Sequence, residues 1–160
     1  MMRAVELARR GVGTTSPNPP VGAVIVRDGF ILGEGHHEIA GELHAERRAI
    51  DNAHWKGNGQ WLKGSTIYVT LEPCSSYGRT PPCTEAIIEA GISRVVYGAV
   101  DPDERHRGRA DEILRAHGIE VEHGVCGEVC EILVRPWVWS VKNRRPWVLA
   151  KVATTMDGRM

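Results

Sequence analysis

No sign of charge predominates in this chain: 20 Lys and Arg balance 20 Asp and Glu over 160 residues, and the isoelectric point lies near 7.1. A balanced surface offers no global field to nucleic acid or to an anionic membrane, so the expected partner is a small molecule and neither of those. No apolar run approaches the roughly 18 residues of a membrane-spanning helix, and no basic-then-apolar leader opens the chain, so a cytoplasmic protein is expected. Internal repeats and low-complexity tracts are absent as well, which leaves a length suited to one domain with a single core. Cysteine is scarce, at four residues. In a reducing compartment, a Cys pair in a Pro-rich loop with a His-x-Glu upstream points to metal binding rather than to disulfides.

What is there alternates between helical and strand-like patterns. Ala4–Ala8 belongs to a short amphipathic helix. Val21–Val26 and Phe30–Gly33 are apolar runs joined by Arg27-Asp28-Gly29, whose Asp-Gly pair signals a hairpin. Helices are predicted over His44–Ala53, Cys83–Ala90 and Arg109–His117, the last two stopped by Gly91 and Gly118. Strands are predicted over Ile67–Leu71, Arg94–Val100 and Ile119–Glu122. This order predicts an α/β fold of three α/β/α layers around a mixed five-stranded sheet.

The chemistry concentrates in His44-Ala45-Glu46, Glu72-Pro73-Cys74 and Cys83. One imidazole and two thiolates suit zinc and leave its fourth position open, where a water becomes acidic enough to attack an electrophilic carbon near neutral pH. His44, Cys74 and Cys83 are therefore the expected ligands of a Zn2+ cofactor, and Glu46 is the expected catalytic proton shuttle. His44 and Cys83 both open predicted helices, whose free N–H groups and dipole favour thiolate, so the metal is expected between two helix N-termini. A His, two Cys and an unliganded Glu resemble the zinc nucleobase deaminases, with signature H-x-E and P-C-x-x-C.

Eight residues separate Cys74 from Cys83 where that signature has two. With Asn18-Pro19-Pro20-Val21-Gly22, Thr70-Leu71-Glu72-Pro73-Cys74 and Gly78-Arg79-Thr80-Pro81-Pro82-Cys83, the chain resembles the deaminase half of the bifunctional riboflavin-biosynthesis deaminase/reductases. The resemblance implies a cytidine-deaminase-like fold. It implies hydrolytic deamination of 2,5-diamino-6-ribosylamino-4(3H)-pyrimidinone 5′-phosphate, so that the small-molecule partner is an aminopyrimidine ribose phosphate. It further implies that Asn18 and His37 contact the pyrimidine, and that Arg79, with the Thr80 hydroxyl, holds the phosphate.

Two departures bear on the substrate. Ser76 stands where the family usually has His, and Asp103-Glu104-Arg105-His106 replaces an Asn-Pro and an apolar stretch, placing a carboxylate near an anionic ligand. A deaminase of a related aminopyrimidine or specialised metabolite is the alternative within the class. A non-catalytic, zinc-stabilised scaffold that docks a reductase is the alternative outside it. Cys126 and Cys130, four apart on an expected helix face, suit buried apolar thiols better than a closed four-cysteine metal site.

Residues 1–145 are expected to form the deaminase domain. Residues 146–160 resemble the first strand and turn of the family's reductase half, which needs on the order of 200 further residues, so no reductase activity is expected. A strand left unpaired there, near Trp137, Trp139 and Trp147, would seek a homo-oligomer or a separate reductase domain. Core aromatics on a last helix are the other reading of those tryptophans.

Overall fold

The computed structural model describes residues 1–78, 81–102 and 107–159. Five strands form one sheet in the order β2-β1-β3-β4-β5. They are β1 (Gly22–Arg27), β2 (Phe30–His36), β3 (Thr66–Leu71), β4 (Arg94–Ala99) and β5 (Glu120–His123). β1 runs antiparallel to β2 and β3, whereas β3, β4 and β5 are parallel. The predicted mixed sheet is thus present, with element boundaries mostly within a residue or two of expectation. β2 is the exception, continuing three residues past Gly33 through Glu34, Gly35 and His36. Asp28 and Gly29 both take positive φ, 50° and 81°, as the tightest hairpin turn requires.

The helices are α1 (Met2–Arg9), α2 (Ala45–Trp55), α3 (Cys83–Glu89), α4 (Arg109–Ala116) and α5 (Gly127–Asn143). α2, α3 and α4 cover one face, burying Ala49, Ala53, Ile87 and Leu114 against Ile25, Ile67, Val69 and Val95. On the other face α1 and α5 bury Val5, Cys130 and Val134 with Leu71 and Ala99. Cys130 is fully buried in α5, as expected of an apolar thiol, whereas Cys126 is half-buried and precedes the helix as its N-cap with positive φ, so it does not share that helix face. None of the described helices is long and apolar enough to cross a membrane.

Glycine sets the spacing between α2 and the sheet. A Cβ at Gly33 would stand 2.1 Å from the Ala49 carbonyl oxygen, and one at Gly35 would stand 2.6 Å from that of Ala45. Side chains alternate along a strand, so both hollows open toward the same helix, whose facing residues Ala45, Ala49 and Ala53 are equally small. The helix that begins at His44 therefore lies against backbone.

The strand expected near the C-terminus does not form. Residues 146–159 adopt no regular element, and Val148, Leu149 and Val152 are exposed. A single strand has no ladder to satisfy its N–H and C=O groups, and no described strand lies alongside this segment. The expected turn is present, closed by a 2.9 Å bond from Gly158 N–H to the Thr155 carbonyl. Trp139 and Trp147 meet edge to face at 5.9 Å, and Trp137 packs against the α1/α5 core.

Candidate metal centre and its cavity

Three loops converge beyond the carboxyl ends of the parallel strands β3 and β4, the usual place for ligands in such sheets. His44 is the N-cap of α2, in extended conformation, but its side chain caps nothing. The imidazole turns instead to the sulfurs: Nδ1 lies 3.4 Å from Cys74 Sγ and 3.3 Å from Cys83 Sγ. Cys74 leaves the end of β3, and Cys83 is the first residue of α3. The Cys83 N–H donates to Cys74 Sγ at 3.2 Å and the Thr84 N–H donates to the Cys74 carbonyl at 3.2 Å, so Cys74 closes the long inter-cysteine loop at its base. Tyr77 anchors the same loop through its hydroxyl on Glu85 of α3, at 2.8 Å.

These donors fit zinc. A tetrahedral ion with bonds of about 2.1 Å to nitrogen and 2.3 Å to sulfur spaces those atoms about 3.6 Å apart, close to the separations here. His44, Cys74 and Cys83 form the one such group of three among the described residues, and Cys126 and Cys130 take no part in it. All four cysteines are free thiols. The Cys83 and His44 hydrogen bonds pull the Cys74 thiol well below its ordinary range, whereas the negative Cys74 sulfur and burial push Cys83 up. A thiolate is thus ready before a cation arrives, and a cation would draw off the second proton. The bond to Cys74 raises the His44 imidazole.

Glu46 follows on the first turn of α2 and is 3 % exposed. Burial first, and then the Cys74 sulfur, pushes its carboxyl up to about 7. It borders a cavity of about 200 Å³ together with Asn18, His37, His44, Cys74 and Ser76. The sequence-derived residues therefore meet in one place, except for Arg79 and Thr80, which lie outside the described residues, as do Asp103–His106. His37 is almost wholly enclosed: its Nδ1 stands 3.1 Å from the Leu43 carbonyl and its Nε2 3.0 Å from Asn18 Nδ2. Burial holds its pKa below the ordinary value.

Glu72, Asp101 and Trp137 also line the cavity, though sequence reasoning gave them no role there. Glu72 sat within the quoted motif, and a carboxylate between a strand end and a proline was the available signal. Trp137 carried none, because its place depends on where α5 crosses the sheet.

The family model described as the cytidine and deoxycytidylate deaminase zinc-binding region matches residues 1–99. The chain belongs to this deaminase family. Among curated deaminase-family relatives, the riboflavin biosynthesis protein RibD of Aquifex aeolicus is 47% identical over the whole chain and 44% of its own length. RibD of Escherichia coli is 46% identical over 99% of this chain and 42% of its own length. The chain therefore spans less than half the length of these relatives. Of solved structures, the diaminohydroxyphosphoribosylaminopyrimidine deaminase/5-amino-6-(5-phosphoribosylamino)uracil reductase of Thermotoga maritima superposes with a TM-score of 0.91 at 50% identity, covering 99% of this chain and 43% of that one. The Rib2 deaminase of Aspergillus oryzae, 24% identical with a TM-score of 0.68 over 84% of this chain and 88% of that one, shares the fold. The cytidine-deaminase-like architecture expected from the sequence is the one present, and zinc is the metal of the family to which this His/Cys/Cys group belongs.

Proposed function

We propose that the chain deaminates 2,5-diamino-6-ribosylamino-4(3H)-pyrimidinone 5′-phosphate by hydrolysis, the deaminase step of riboflavin biosynthesis. The observation that carries this reading is a buried carboxyl, Glu46, sharing one small cavity with a His/Cys/Cys cluster of zinc-binding dimensions. Zinc held by His44, Cys74 and Cys83 would supply the Lewis acid that acidifies an attacking water. Glu46 then accepts a proton from that water and delivers it to the exocyclic nitrogen, so that ammonia leaves and a ring carbonyl replaces the amine. A carboxyl poised near 7 suits both halves of this transfer.

Asn18 takes the pyrimidine edge, with His37 behind it. Arg79 and Thr80 are the proposed phosphate contacts on resemblance alone. Residues 1–145 form the deaminase unit in this reading, and residues 146–160 correspond to the start of a reductase-like segment. The cytoplasm suits four free thiols. Ser76 supports a second reading within the class: it borders the cavity where the family usually places His, which favours a related aminopyrimidine as substrate.

The test is ammonia release from the diaminopyrimidine phosphate by zinc-quantified protein, with Glu46→Gln as control. Loss of about 100-fold or more in kcat with zinc retained is expected for the variant. Bound zinc without ammonia release by the unsubstituted protein would reject this substrate, and loss of zinc in Glu46→Gln would make Glu46 structural.

A further inference from the structure

Glu72 is a carboxylate, 5 % exposed. Its hydrogen-bond partners among the described residues are backbone. Oε1 accepts the Gly108 N–H at 2.8 Å and Oε2 accepts the Asp101 N–H at 3.2 Å, and the nearby Ala110 N–H further favours the charged carboxylate. Its own N–H donates to the Ala99 carbonyl at 2.8 Å, which fixes the residue against the end of β4. The two side-chain oxygens therefore tie together the described ends of the β4–α4 connection, Asp101 on one side and Gly108 on the other. Gly108 is the N-cap of α4 and, having no side chain, cannot satisfy the first turn itself. The carboxylate of the residue that follows β3 accepts from that turn instead, at the positive end of the helix.

This clamp faces the ligand. Glu72 and Asp101 both border the cavity that Glu46 lines, and Glu72 accepts the Asp101 N–H. We propose that Glu72 is a positioning residue for the substrate: by gripping Asp101 and the start of α4 it holds one wall of the cavity at the distance an aminopyrimidine needs. The inference rests on the deaminase reading. It separates two tasks in the Thr70–Cys74 segment: Cys74 serves the metal, and Glu72, two residues earlier, serves the wall opposite α2.

The test has two arms. In the full zinc-loaded chain, amide hydrogen exchange followed by NMR is expected to be slow at Asp101, Gly108 and Ala110. Glu72→Gln should accelerate those three amides while β3 keeps its protection. In ammonia-release assays Glu72→Gln should raise KM by about tenfold and Glu72→Ala by more, with kcat within about threefold of the unsubstituted enzyme and zinc content unchanged. The graded response arises because Gln keeps one acceptor oxygen and Ala keeps none. Fast exchange at the three amides in the unsubstituted protein would overturn the clamp, and so would zinc loss at unchanged KM. Should the unsubstituted chain release no ammonia, the deaminase reading fails, and the exchange arm still decides whether Glu72 holds the wall.

Discussion

Asn18 and His37 form a hydrogen bond whose direction is fixed from outside the cavity. The Leu43 carbonyl can only accept, so the proton on His37 sits on Nδ1. The neutral, buried ring then offers Nε2 as an acceptor, and Asn18 must turn its amide nitrogen toward it, 3.0 Å away. That leaves the amide Oδ1 and one Nδ2–H; in the proposed reading Oδ1 would accept from an N–H of the base.

Asn18→Asp places an acceptor against an acceptor. A fall of about 100-fold in kcat/KM is expected. His37→Phe should cost a comparable amount, although it need not touch the substrate, because the amide is then free to rotate. Steady-state kinetics on both single variants and the double variant check this: non-additive losses indicate that the two act as one unit, and strictly additive ones would separate them.

Chelation of the metal should abolish ammonia release and lower the melting temperature, and added zinc should restore both. At free zinc about 100-fold above its Kd the ion contributes roughly 2.7 kcal/mol. Uptake should also release protons, since the Cys74 sulfur and burial hold the Cys83 thiol well above its ordinary value and it must lose its proton to bind the ion. Calorimetry in buffers of different ionisation heat measures that release, and an unchanged melting temperature after chelation would remove the metal from the fold's support.

Ser76→His restores the side chain usual in the family at a position bordering the cavity. Improved kcat/KM on the diaminopyrimidine phosphate is expected if the serine has retuned the substrate. Equal values for both proteins would make the exchange neutral and remove the argument for a related aminopyrimidine.

Trp137 borders the cavity that Glu46 lines on one side and, on the other, a groove along α5 lined by Val12, Pro17, Leu133 and Trp147. It is thus a partition. Trp137→Phe should be tolerated, whereas Trp137→Ala should open one space into the other, raising KM and costing about 2–4 kcal/mol of stability by loss of packing. Denaturant melts together with kinetics on both variants measure the two effects.

Much of this arrangement could be read from residue order. The Asp28-Gly29 turn, the β-branched runs of β3 and β4 and the glycines after α3 and α4 are local signals, and each led to the element found. The His/Cys/Cys group that could hold a metal was legible for the same reason, since residue types and spacing pointed to it and the fold brings the three together. Relationships between distant segments were less accessible. Nothing near Glu72 announces that its partners are Asp101, Gly108 and Ala110, about 30 to 40 residues on, because a backbone N–H has no sequence signature. His37 was expected at the ligand and does line the cavity, but that its ring nitrogens would meet Asn18 and the Leu43 carbonyl had no signal in the sequence. The apolar run near the C-terminus has strand-like composition and forms no strand, because pairing needs a neighbour that composition cannot supply.

The bare backbone of β2 under α2 makes the helix's position a matter of discrete steps. With Ala45 and Ala49 seated over Gly35 and Gly33, sliding α2 by one residue would drive Arg48 or Ile50 into a hollow that cannot admit even a methyl group. The metal-facing end of that helix is thereby indexed, like a bolt in a notch, by two positions that contribute no atoms to the chemistry. Drift at Gly33 or Gly35 toward anything larger would displace His44 and Glu46 together, so the placing of the candidate metal centre depends on a strand's emptiness beneath the first turns of the helix.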